Sequence, residues 1–77
     1  MNQKRRNAID ALIAKLEDLK SEVEAIRDEE QEYFDAMPES LQGGDKGTVA
    51  EEAISSLEEA AGNLDSVLDN LSAAVSG

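Results

Sequence analysis

Between residues 3 and 36 the chain contains neither glycine nor proline, and its apolar residues recur at alternating steps of three and four. Ile9, Leu12, Leu16, Leu19, Val23, Ile26, Tyr33 and Met37 follow this spacing, with Glu30 at the one position that is not apolar. A repeat near 3.5 residues, held over four heptads, fits an amphipathic helix that lays a stripe against another helix. It does not fit a strand, whose side chains alternate with period two. The spacing predicts a first helix over 4–36, about 50 Å long at the standard rise. Pro38 closes it, because its ring clashes with the preceding turn and its nitrogen carries no hydrogen.

Pro38-Glu39-Ser40-Leu41-Gln42 reads as one short turn with proline at its first position, and Gly43-Gly44-Asp45-Lys46-Gly47 as a flexible connector. Thr48-Val49-Ala50-Glu51 has the pattern of a capping box, in which Thr48 accepts the backbone N–H of Glu51 and Glu51 reaches back to that of Thr48. A second helix is therefore expected over 49–75, about 40 Å long, with a connector over 37–48. Its seam is Ala50, Ile54, Leu57, Ala61, Leu64, Leu68, Leu71 and Val75. A second line, Ala53, Ala60, Val67 and Ala74, widens the stripe beyond what a two-helix contact needs. Ile13 and Phe34 lie just off the seam of the first helix. The expected fold is all-α: a single domain over 1–77, an antiparallel two-helix hairpin resembling a coiled coil. A homodimer forming a four-helix bundle would cover the surplus apolar surface. Gly62 and Asn63 fall on the outer face, where glycine costs about 1 kcal/mol relative to alanine.

A chain of 77 residues buries only a small core and needs a staple. It has no cysteine, so neither a disulfide nor a thiolate metal site supplies one, and no histidine, the commonest general base and metal ligand. Oligomerisation remains. The longest purely apolar run is Ala11 to Ala14, far short of a membrane span. Asp10, Lys15, Glu17 and Asp18 interrupt any apolar region that could follow Lys4-Arg5-Arg6 in a signal peptide. A cytoplasmic location and no membrane partner are expected.

Eighteen acidic residues face seven basic ones, net −11, and their placement is uneven. Residues 1–27 carry six basic and five acidic residues; residues 28–59 carry eleven acids and only Lys46. In a hairpin the acids pool at the closed tip, while Lys4, Arg5 and Arg6 fall beside the negative end of the second helix and near Asp69. Acids in the last turns of the first helix oppose its dipole, and Glu30 sits in the seam, where a buried carboxylate needs a partner. Tyr33, Phe34, Met37 and Leu41 are mixed into this end. A solvated acidic face over a closed core would account for the composition. A recognition end built of Asp28, Glu29, Glu30, Glu32, Tyr33, Phe34, Asp35, Met37, Glu39 and Leu41 accounts for the broken local rules as well, and suits a protein with a basic, partly hydrophobic surface.

Chemical motifs are missing. Asp28 with Glu32, and Asp65 with Asp69, stand at helical spacing for acid–base work, yet neither pair has a neighbouring lysine and a two-helix protein offers little cavity. Asp28, Glu29 and Glu32 could hold Mg²⁺ only weakly, and no calcium-loop pattern occurs. The glycine-rich connector lacks the spacing of a phosphate-binding loop. Three cations are too few to bind nucleic acid directly against net −11. The expectation is a chain that is not an enzyme and uses no cofactor.

The run from Arg27 to Gln42, RDEEQEYFDAMPESLQ, together with Lys4-Arg5-Arg6 and the EEAISSLEEA stretch of Glu51–Ala60, resembles small acidic helical-hairpin proteins encoded by phages and prophages. The central block carries the resemblance; the flanking heptads would fit any acidic coiled coil. What it implies is a phage-infected or prophage-bearing bacterial cell, with no reaction attached. Three functional readings remain open: an interaction module that binds, and so inhibits, a host or defence protein through its tip; a DNA mimic that blocks a nucleic-acid-binding protein; and a structural or scaffold coiled coil.

Overall fold

The computed structural model describes residues 1–76, and among them every regular element is a helix: α1 (Gln3–Asp35), α2 (Glu39–Gln42) and α3 (Asp45–Ser76). The Cα atoms fill an envelope of 58 × 15 × 12 Å. That length barely exceeds the roughly 50 Å spanned by α1 alone, so α1 and α3 overlap along most of their length. Lys20 of α1 meets Asp65 of α3, while Tyr33 lines a groove with Lys46 and Val49. Later residues of α1 thus meet earlier residues of α3, and the two helices run antiparallel.

The start of α1 is set by Asn2, whose side-chain oxygen accepts the Arg5 backbone N–H at 2.9 Å. This satisfies one donor left free by the first turn. At the other end the Ala36 and Met37 N–H groups bond to the Glu32 and Phe34 carbonyls, and the chain turns extended at Pro38. Pro38 lies just outside α2, and its carbonyl accepts from both Leu41 and Gln42. Gln42 Nε2 donates to the Phe34 carbonyl at 3.1 Å, a second donor beside the Met37 N–H, and ties α2 back onto the last turn of α1.

The connector differs from the sequence expectation. α3 begins at Asp45, four residues before position 49, and Thr48 caps nothing: its N–H and its hydroxyl both donate to the Gly44 carbonyl from inside the helix. The reason is packing. Gly47 is buried in the first turn of α3 against the end of α2, and a Cβ there would run into the Gln42 carbonyl. Only glycine admits so close an approach. Asp45, in that first turn, suits the positive end of the helix dipole.

The core is small. Ala50 and Ile54 are its buried apolar residues, both at the closed end with Gly47. Farther along, α3 turns Leu57, Ala61, Leu64, Leu68, Leu71 and Val75 inward as half-buried residues, the seam read from its spacing. For α1 half of the expected seam is displaced. Ile9, Leu16, Val23, Glu30 and Met37 are half-buried, but their companions are Ile13, Lys20, Arg27 and Phe34; Leu12, Leu19, Ile26 and Tyr33 are exposed. Both choices have steps of three and four, so periodicity alone does not separate them. The one adopted brings the Lys20 ammonium within 2.6 Å of Asp65 on the acidic α3.

Candidate interaction face

Leu12, Leu19, Ile26 and Tyr33 are spaced seven residues apart and so stand in one line along α1; each is about half exposed, between 47% and 53%. The line precedes by one residue the inward line Ile13, Lys20, Arg27 and Phe34. On α3 the line Ala53, Ala60, Val67 and Ala74 likewise precedes Ile54, Ala61, Leu68 and Val75. Seen from one end, antiparallel helices wind in opposite senses, so equivalent lines fall on the same side of the pair. Two shallow grooves agree with this. One is lined by Glu30, Tyr33, Asp45, Lys46, Val49 and Ala50, the other by Gln31, Phe34, Glu51, Ile54 and Ser55. Tyr33 and Lys46 therefore share one face, and Phe34 and Glu51 the opposite one.

The apolar face carries little charge on its α3 side. The residues flanking Ala53, Ala60 and Val67 outward are Val49, Ser56, Asn63 and Asn70, with Val49 65% exposed. The opposite face holds two acidic lines, Asp10, Glu17 and Glu24 on α1 and Glu51, Glu58 and Asp65 on α3. Aliphatic lines thus gather on one face, and the two longest acidic lines on the other.

The expected recognition end is divided by this geometry. Glu30 and Tyr33 come together beside Lys46 and Val49. Phe34, half-buried, belongs to the other groove, and its carbonyl is taken by Gln42. Met37 is half-buried and Leu41 is exposed on α2. Asp28, Glu29, Glu32, Asp35 and Glu39 are exposed; by helical rotation Asp28, Glu29 and Glu32 fall within about 100° of one another, on the outer side of α1. Asp28 bonds its neighbour Arg27 at 2.9 Å and Asp35 accepts from Gln31 at 3.0 Å. Spacing placed Tyr33 in one register with Leu12, Leu19 and Ile26; what it missed was that this line faces outward. The signal was present in Ile13 and Phe34, which mark the true inward line, but Lys20 and Arg27 between them disguise it.

Lys20 is the group whose titration the fold clearly alters. The hydrogen bond it gives Asp65 holds its ammonium above the ordinary lysine value, against the partial loss of water around it. The charges of Asp65, Glu24 and Glu17 add to the rise. The ion pairs among the described residues are Lys20–Asp65 and Arg27–Asp28, and none joins Lys4, Arg5 or Arg6 to Asp69. Among the described residues no three acidic side chains converge to hold a metal ion, and no helix is long and apolar enough to cross a membrane. No protein-family model, curated protein or solved structure matches the chain.

Proposed function

We propose that this chain is a non-enzymatic, acidic protein-interaction module that associates through its apolar face, its acidic, aromatic-containing tip selecting a basic partner. The observation that supports this is the exposed line Leu12, Leu19, Ile26 and Tyr33, ending in the groove of Glu30, Lys46 and Val49. Desolvated aliphatic and aromatic anchors supply affinity, while surrounding carboxylates set orientation and reject acidic competitors. An antiparallel hairpin that pairs into a four-helix bundle belongs to the same reading. In the phage setting that the resemblance implies, the partner is a host or defence protein whose basic surface would be occupied and so inhibited. Affinity capture from host lysate tests it. Wild type should retain a protein that the Glu30→Ala/Tyr33→Ala chain loses and that an Asp69→Ala control keeps. Equal retention by all three would end this reading.

A second reading, DNA mimicry, draws on the two acidic lines of the opposite face. Carboxylates seven residues apart lie about 10 Å from one another along each helix, sparser than the roughly 3.4 Å per phosphate of a DNA strand. Lys20 and Arg27 also interrupt the field. Competition decides between the two: a mimic is displaced from its partner by duplex DNA and released steeply by salt, whereas a partner held on the apolar face is not displaced.

A further inference from the structure

We infer that the apolar face docks a second copy of this chain with the ends reversed, so that each copy lays its basic start against the other's acidic tip. The inference rests on the reading of that face as an association surface and names its occupant. Three observations carry it.

The first is area. The chain exposes 5400 Å², about 800 Å² more than the roughly 4,600 Å² expected for a compact folded monomer of its mass. That surplus is close to what one partner contributes to a standard interface, about 800 Å².

The second is symmetry. A face-to-face two-fold that reverses the ends places α1 on α1 of the other copy and α3 on α3. The α1 line is centred between Leu19 and Ile26, and the α3 line between Ala60 and Val67. The Lys20–Asp65 pair sets the level of one helix against the other, and at that setting the two centres coincide to within about a residue, about 1.5 Å of rise. One axis therefore serves both lines. It brings Leu19 opposite Ile26 and Leu12 opposite Tyr33, while Ala53, Ala60 and Ala74 let the α3 helices approach closely.

The third is charge. The arrangement with ends together would stack two tips, each with eleven acids and one lysine over 28–59. Reversal instead sets Lys4, Arg5 and Arg6 beside the other copy's tip, and Lys15 beside Glu29, twice by symmetry. On α3 the flanking residues that meet are uncharged, Ser56 with Asn70 and Asn63 with Asn63. Glu22 alone faces its own copy near the axis.

The test combines mass and cross-linking, helped by a sequence without cysteine. Light scattering at about 100 μM, well above the micromolar dissociation constants of weak specific complexes, should give twice the 8.3 kDa chain mass. Leu19→Glu/Ile26→Glu should weaken the dimer at least 100-fold, while the Ala14→Glu/Ser21→Glu control on the exposed outer side of α1 should not. Mixing Ala8→Cys with Ala36→Cys chains and adding a short bis-maleimide should link the two variants to each other. These positions lie near opposite ends of α1, so the link reports reversed ends, and it decides the matter even if the Leu19/Ile26 variant fails to fold. A monomeric wild type, a folded Leu19/Ile26 variant that still dimerises, or a dimer in which the two cysteine variants do not link overturns the inference. A monomer that still captures a different protein through Tyr33 would sink the second copy and leave the interaction reading standing.

Discussion

The two ends of the molecule are built differently. At the tip, Gly47, Ala50 and Ile54 are buried, α2 is tied to α1 through Gln42, and the helices close tightly because small residues stand where they meet. At the open end Ile9, Leu68, Leu71 and Val75 are only half-buried. The tip holds the buried residues, and the open end is a pair of half-covered stripes. Stability should concentrate at the tip, and dependence on association at the open end.

That contrast is most easily broken by matched truncations. Ile54→Ala removes a buried side chain and should cost about 2–4 kcal/mol. Leu71→Ala, at the open end, should cost about half as much, because less area leaves water when the helices pack. Denaturant unfolding at one fixed protein concentration gives both values, and equal costs would show that the ends do not differ. Next in size is Gly47→Ala. Its Cβ meets backbone, which cannot rotate away as a flexible side chain could, so α3 must shift off α2 at a cost of about 1–3 kcal/mol. A melting temperature unchanged by this substitution would mean that the tip is looser than its geometry indicates.

How much of this was legible beforehand differs between the helices. Residues Ala50 to Val75 declared their inward face correctly, since each competing line on α3 is either alanine-rich or acidic. α1 offered two lines of similar period, and the more apolar one faces outward. In the register adopted Lys20 meets Asp65, and that is a fact about the partner helix which no local pattern holds. The start of α3 was hidden for a related reason. Thr48 and Glu51 make a credible cap, but the burial of Gly47 against Gln42 depends on the path of the connector. Of the recognition end, the Glu30–Tyr33 neighbourhood was readable; the separation of Phe34 from Tyr33 follows from the α1 register and was lost with it.

A third measurement sharpens the contrast from the middle of the rod. Gly62 is exposed within α3, and a Cβ built there meets nothing within 4 Å. Gly62→Ala should therefore stabilise by about 1 kcal/mol through the lower helix-forming cost of alanine. The gain should appear as slower amide exchange in residues 62–76, with little change at 47–54. A destabilising outcome would mean that the outer side of α3 is covered.

The smallest effect concerns the cross-helix pair midway between the ends. Lys20 in the folded chain holds its proton more tightly than a free lysine, whose ordinary value is 10.5, because Asp65 accepts its hydrogen bond. The folded state thus binds that proton better than the unfolded state, and the stability linked to it is fully present below the ordinary value and is lost as pH rises through the raised one. The wild-type melting temperature should exceed that of Asp65→Asn at pH 8, and the gap should close as the pH is taken above 10.5. Other lysines lose their protons in both chains and cancel in the difference. A gap that persists at high pH would assign the contribution of Asp65 to something other than the Lys20 ammonium.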